Sequence, residues 1–254
     1  MKVGLNLFSI RNKIQTEEEF LATAKTLKEY GYEYMQFSGS PLKADAVARV
    51  SKESGMPVYL THMPYDRIVN DTEALMEEHA SFGCKNIGLG MMPTDARLDV
   101  EKCKETVAKL NAVGEKMQRN GFTFFYHHHH VEFVKLFGNQ TIMDYMIENA
   151  PYIHFTADTY WLQYGGVNVL EYLEKMKGRI ACVHLKDYQQ VLDEKNWPAP
   201  KFAPIGDGVM NFPAIIERAK SCGAQYFFVE QDNAAELPDT MGQVKRSIDY
   251  LKEI

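Results

Sequence analysis

Eight short apolar runs alternate with eight stretches of helical period along this chain, and that alternation constrains its fold more than any other feature. The runs fall at 3–8, 34–37, 58–62, 86–90, 122–127, 153–158, 180–186 and 226–230. The stretches fall at about 16–30, 43–54, 72–82, 100–120, 141–149, 167–177, 212–222 and 240–254. Thr16 followed by Glu17, Glu18 and Glu19 reads as an N-cap with an acidic first turn. Gly31, Gly83, Gly121 and Gly178 stand where helices must stop. Strict alternation implies parallel strands joined by right-handed crossovers. Eight such units in 254 residues fit a closed α/β barrel, the (β/α)8 TIM barrel, better than an open sheet. No GxGxxG follows the first run, which weakens a dinucleotide-binding alternative. No linker or low-complexity segment divides the chain, so residues 1–254 read as a single barrel domain. One long excursion, at about 188–211, holds Trp197-Pro198-Ala199-Pro200 and Gly206-Asp207-Gly208 and is a candidate lid over the C-terminal mouth.

The net charge of −6 argues against a nucleic-acid partner, which needs a basic surface. No apolar stretch approaches the ~20 residues of a membrane span. The first residues meet Arg11 and Lys13 too early for a signal peptide. Cys84, Cys103, Cys182 and Cys222 are scattered with no CxxC pair, as expected for small buried thiols in a cytoplasmic protein.

In a barrel, chemistry sits where strands end. Here the third run closes on His62, the fifth on His127, the sixth on Asp158 and the eighth on Glu230, with Asp232 beyond; the seventh carries His184, Lys186 and Asp187. Taken singly, an Asp there is usually a turn or helix cap and a His a hydrogen-bonded structural residue. Taken together, four successive strands deliver imidazole or carboxylate to one axis, a set suited to a divalent ion such as Mn, Zn, Co or Mg. Alternation along the fifth strand would set His127 and His129 on one face, toward metal or substrate, and leave His128 and His130 to structure. Glu132 follows within reach of a substrate. His79 and His154 lie far from the mouth and receive no role. Lys186 either binds a substrate oxygen or pairs with Asp187. Trp161, with Tyr160, either walls a sugar ring or caps the core. His62 is a candidate substrate contact. No glycine loop at a helix N-terminus offers a phosphate cradle.

The pieces Tyr126-His127-His128-His129-His130-Val131-Glu132-Phe133, Ala157-Asp158-Thr159-Tyr160-Trp161, Val183-His184-Leu185-Lys186-Asp187, Gly206-Asp207-Gly208 and Val229-Glu230-Gln231-Asp232 resemble the xylose-isomerase-like barrel superfamily. That superfamily holds sugar phosphate isomerases and epimerases, inosose dehydratase and 3-dehydroshikimate dehydratase. The resemblance covers nearly the whole chain and implies one divalent metal ion held by Asp158, His184 and Glu230. Members usually add a Glu from strand five; here His127 stands in that place, as in a subgroup reading Tyr-His-x-His and then Glu-Phe. Either His127 is the fourth ligand or three protein ligands hold the ion. In dehydratase relatives the His two residues further on, here His129, acts on the substrate.

The implied reaction is removal of a proton next to a carbonyl of a sugar or cyclitol, on a metal-stabilised enediolate. Isomerase or epimerase activity is the first expectation. Epimerising relatives use two opposed glutamates, and here only Glu230 remains, with His129 or Glu132 left to serve the other face. A lyase that expels a β-hydroxyl as water, or an aglycone from a 3-keto-glycoside, starts from the same abstraction. An endonuclease IV-like nuclease would need more metal ligands and a basic groove. A non-catalytic barrel would purify without metal. The resemblance also leaves a homo-oligomer possible.

Overall fold

The computed structural model describes all 254 residues. Ten strands form in chain order: β1 Gly4–Asn6, β2 Tyr34–Phe37, β3 Val58–His62, β4 Asn86–Leu89, β5 Thr123–His127, β6 His154–Asp158, β7 Cys182–Leu185, β8 Asp187–Leu192, β9 Pro198–Ala203 and β10 Tyr226–Val229. β1 to β7 and β10 close into a parallel barrel in the order β1-β10-β7-β6-β5-β4-β3-β2. This is the TIM barrel that the alternation predicts. Ten helices surround it: α1 Glu17–Tyr30, α2 Ala44–Ser54, α3 Tyr65–Asn70, α4 Thr72–Ser81, α5 Val100–Arg119, α6 Ile142–Asn149, α7 Thr159–Tyr164, α8 Val169–Lys175, α9 Phe212–Ser221 and α10 Thr240–Glu253. None is long and apolar enough to cross a membrane. α1 shows how local chemistry sets the ends. Thr16 and Glu19 form a reciprocal capping box, and Gly31 at φ 99° closes the helix in the left-handed region.

Successive strand side chains point to opposite faces. On the outer face, Met35, Phe124, Tyr126, Val183, Leu185, Phe227 and Val229 join the large core beneath the helices. On the inner face, Tyr34, Leu60, Phe125, Cys182 and Phe228 form a separate buried cluster that plugs the barrel. Each fully buried Phe there stabilises the fold by ~1.5–3 kcal/mol. Gly4 lies in the same layer, where a Cβ would overlap the Tyr34 ring. Two residues further along each plugging strand stand Gln36, His62, His127, His184 and Glu230. The polar mouth is the next rung of the same ladder.

The structure departs from the sequence expectation in three places. The first run is a three-residue strand, because the Asn6 side chain accepts the Phe8 N–H at 3.2 Å and starts a 3-10 turn over Leu7–Lys13. Two short helices, α3 and α7, appear directly after β3 and β6 where only loop was expected. The excursion at 188–211 is ordered: β8 and β9 pair antiparallel over six residues each. Phe202 of this hairpin packs on Tyr160 and Trp161, with ring centroids 4.8 and 5.9 Å away. Asp187 holds its base. The carboxylate accepts the backbone N–H of Gly206, Gly208, Val209 and Met210 at 3.0–3.1 Å. A Cβ on Gly208 would overlap it, and Gly206, at φ 93°, lies against the Tyr250 ring.

His79, which the sequence reading left without a role, is structural. Its Nδ1–H donates to the Leu75 carbonyl at 2.7 Å, leaving Nε2 to accept the Thr61 hydroxyl at 2.8 Å, which ties α4 to β3. Burial pushes its pKa down to about 4 from an ordinary 6.5. Above pH 6.5 the imidazole is neutral in both states and contributes no pH dependence. As pH falls from 6.5 to 4, the unfolded chain takes up a proton that the folded one refuses, so stability is lost. The full difference is about 3 kcal/mol. Urea unfolding of His79→Gln should show roughly that much less loss over this interval than the wild type. Equal losses would contradict the assignment.

Candidate metal centre and substrate cavity

His127 ends β5, Asp158 ends β6, His184 lies in β7 and Glu230 follows β10. All four are buried, and one donor atom from each lies within 4.8 Å of the others. His127 Nε2 is 3.2 Å from Asp158 Oδ2 and 4.0 Å from Glu230 Oε2. His184 Nδ1 is 3.7 Å from Asp158 Oδ2 and 2.8 Å from Glu230 Oε2. Ligands ~2.1 Å from one ion are themselves about 3–3.5 Å apart, so this spacing suits a single coordination shell.

Three of the four donors are held by their other atom. Asp158 Oδ1 accepts the Trp161 N–H at 2.9 Å and caps α7, while Oδ2 faces the cluster. The helix-cap reading and the metal reading of this Asp therefore both apply, on different oxygens. Glu230 Oε1 accepts from Asn6 Nδ2 at 2.6 Å, and Ser38 Oγ donates in turn to Asn6 Oδ1 at 2.5 Å. His184 Nε2–H donates to Gln36 Oε1 at 2.6 Å, which leaves Nδ1 as the cluster-facing atom. Gln36 Nε2 donates onward to His62 Nε2 at 3.1 Å. The facing atoms His184 Nδ1 and Glu230 Oε2 are buried without a properly directed hydrogen bond. Donor atoms converging on one point with their second atoms tethered are the pattern of a ligand set, and these residues fit a divalent ion.

Lys186 reaches into the same cluster. It is 1% exposed, with Nζ 3.1 Å from Asp158 Oδ2, 2.9 Å from Glu230 Oε2 and 3.0 Å from Asp232 Oδ1. Burial opposes charge on all of these groups. The Lys186 ammonium nevertheless holds Asp158 and Glu230 well below the usual carboxylate range, and the carboxylates raise Lys186 in return. Glu230 and Asp158 push His184 up to about 9 against its burial. Ligation through Nδ1 requires that proton to leave.

A cavity of about 560 Å³ opens above the cluster. His62, His127, His129, Lys186, Glu230 and Asp232 line it, with Arg11 and Glu236 on the β1 side. His129 Nδ1 has no hydrogen-bond partner, and burial keeps the ring neutral. His128 is fully buried and structural, accepting the Asp158 N–H on Nε2 at 3.1 Å. His130 stacks on Trp161 at 5.1 Å.

Three expectations are corrected. Glu132 does not face the cavity. Its two oxygens accept the Tyr126 hydroxyl and the His129 N–H, both at 2.7 Å, so it braces the turn that carries His129. Trp161 does not line the cavity either. It packs behind His129 and Lys186, with its ring centroid 5.3 Å from the first ring and 5.1 Å from the second residue's Nζ. Lys186 pairs with Asp158, Glu230 and Asp232, because Asp187 is taken up by the hairpin base. Sequence reasoning missed Asn6, Gln36 and Arg11. The first two had a signal: each is a lone polar residue inside an otherwise apolar strand run.

Comparison with known proteins agrees with this fold. The xylose isomerase-like TIM barrel family matches residues 24–254. An inosose dehydratase from Clostridium perfringens is 27% identical over 224 residues, which span 77% of this chain and 73% of that protein. A sugar phosphate isomerase/epimerase structure from Parabacteroides distasonis superposes with a TM-score of 0.81 at 19% identity, covering 99% of this chain and 93% of that one. A xylose isomerase-like TIM barrel protein from Mycobacterium smegmatis, solved in complex with magnesium, superposes with a TM-score of 0.72 at 14% identity, covering 99% and 95%. At such identities the two structural likenesses speak to fold alone. With residues 24–254 matched and the barrel closed, the chain belongs to the xylose isomerase-like TIM barrel family, a family of enzymes.

Proposed function

We propose that this chain is a divalent-metal-dependent enzyme that removes a proton next to the carbonyl of an uncharged sugar or cyclitol, and that it then expels a β-hydroxyl as water. The observation that carries the choice is the make-up of the cavity walls. Glu230 stands on one side, and the strand-five side opposite presents the imidazoles of His127 and His129. The one nearby carboxylate there, Glu132, is turned into the fold. The similarity to inosose dehydratase supports the same choice. An uncharged substrate follows from the cations. Lys186 is paired with carboxylates of the fold, and Arg11 with two backbone carbonyls and Glu236, so the cavity offers a phosphate no unpaired cation.

When bound, an Mn, Zn, Co or Mg ion on His127, Asp158, His184 and Glu230 supplies Lewis-acid polarisation of the substrate carbonyl. The neutral His129 takes the proton from the adjacent carbon, and the C–H electron pair becomes the new C=C bond. The β C–O bond breaks, and the imidazolium returns its proton to the departing hydroxyl, which leaves as water. Gln36 and Asn6 keep His184 and Glu230 oriented. His62 contacts substrate from the β3 side.

Epimerisation is the second reading, favoured by the likeness to the sugar phosphate isomerase/epimerase fold and by His129 and Glu230 facing one cavity. Incubation in D2O with inososes, keto-sugars and 3-keto-glycosides, read by mass spectrometry, separates the two. Elimination gives a product lighter by one water; epimerisation gives a product with solvent deuterium on the inverted carbon. Neither change with any of these compounds would contradict both readings.

His129→Ala should lower kcat by at least ~10²-fold with KM nearly unchanged. A change confined to KM would make His129 a binding residue. Gln36→Leu, which frees His184 Nε2, should weaken metal binding by about 10–100-fold in a calorimetric titration of correctly folded protein. Wild-type affinity in that variant would remove Gln36 from the account.

A further inference from the structure

Two positive charges claim the same pair of oxygens in this site. Asp158 Oδ2 and Glu230 Oε2 are the atoms that face His127 Nε2 and His184 Nδ1. They are also the atoms that Lys186 Nζ contacts at 3.1 and 2.9 Å. We propose that the Lys186 ammonium is a built-in competitor of the metal ion, which holds these oxygens in the metal-free protein and shifts toward Asp232 when the ion binds. This inference rests on the metal reading above.

The surroundings leave the ammonium one way to move. Lys186 is buried, and its one unobstructed side faces the cavity. The Trp161 and Phe202 rings lie 5.1 and 5.6 Å from Nζ and close one side while tolerating a cation. Asp232 lies on the open side, 3.0 Å away, on the cavity wall and outside the four-donor set. Without the ion, two buried carboxylates need a counter-charge, and Lys186 provides it. With the ion, a dication and an ammonium a few ångströms apart repel strongly in a buried site, so the lysine must lower metal affinity. The site is thus tuned to bind its ion reversibly.

The test is isothermal titration calorimetry with Mn²⁺ and Zn²⁺ on chelator-stripped wild type, Lys186→Met, Asp232→Asn and the double variant. Folding of each is checked by circular dichroism, and Lys186→Gln replaces the Met variant if that one misfolds. Lys186→Met should bind metal at least about tenfold more tightly. Asp232→Asn should bind several-fold more weakly, because the ammonium loses its second partner. In the Lys186→Met background the Asp232→Asn effect should shrink to under ~2-fold, since the two residues act as one unit. Metal-free Lys186→Met should also melt below the wild type and recover when metal is added. Unchanged or weaker binding in Lys186→Met overturns the proposal and leaves the metal site standing. An Asp232→Asn effect of equal size in both backgrounds also overturns it. Absence of binding in all four proteins overturns the metal reading itself.

Discussion

The two-residue pleat of the barrel strands is the constraint on which the rest of this structure depends. It sets Gln36, His62, His127, His184 and Glu230 one rung above Tyr34, Leu60, Phe125, Cys182 and Phe228. The lower rung is a dry plug, and the upper rung is a ring of donors. Water is excluded from below by the same packing that aims the polar groups upward. A register slip of one residue would turn every donor outward against the helices and every outward core residue into the barrel. Stability and site geometry are therefore specified by the same strands.

On that floor, the polar groups form one connected network. Ser38 leads to Asn6 and Glu230, and His62 leads to Gln36 and His184. Glu132 fixes the backbone of His129, and Asp187 fixes the hairpin that roofs Trp161. Glu230, His184 and His129 are thus each positioned by a neighbour that does no chemistry. Preorganisation of this kind is what a site needs if it is to polarise a substrate without first rearranging.

Much of this was legible in the sequence. The alternation of runs and helical stretches led to the closed barrel, and the strand ends led to His127, Asp158, His184 and Glu230. Other features were hidden for physical reasons. Asn6 and Gln36 act through partners more than thirty residues away in some cases and more than two hundred in others, which no local pattern displays. Glu132 looked available because it follows the end of strand five in the connecting loop; only the fold shows Tyr126 and His129 closing on it. Lys186 read equally as a substrate contact or as a partner of Asp187; it sits between β7 and β8, and the Asp187 carboxylate is taken up by the hairpin base. The hairpin at 187–203 was masked by its prolines and its exposed Trp197, which read as irregular loop.

The central claim is that the four donors hold one divalent ion, and metal content tests it most directly. Wild type and Asp158→Asn, each expressed with supplemented Mn and Zn and desalted, would be analysed by elemental mass spectrometry. The account predicts about one ion per chain in the wild type and almost none in Asp158→Asn, with the circular dichroism of both alike. A wild type that carries no ion, or an Asp158→Asn variant that retains a full one, would contradict it.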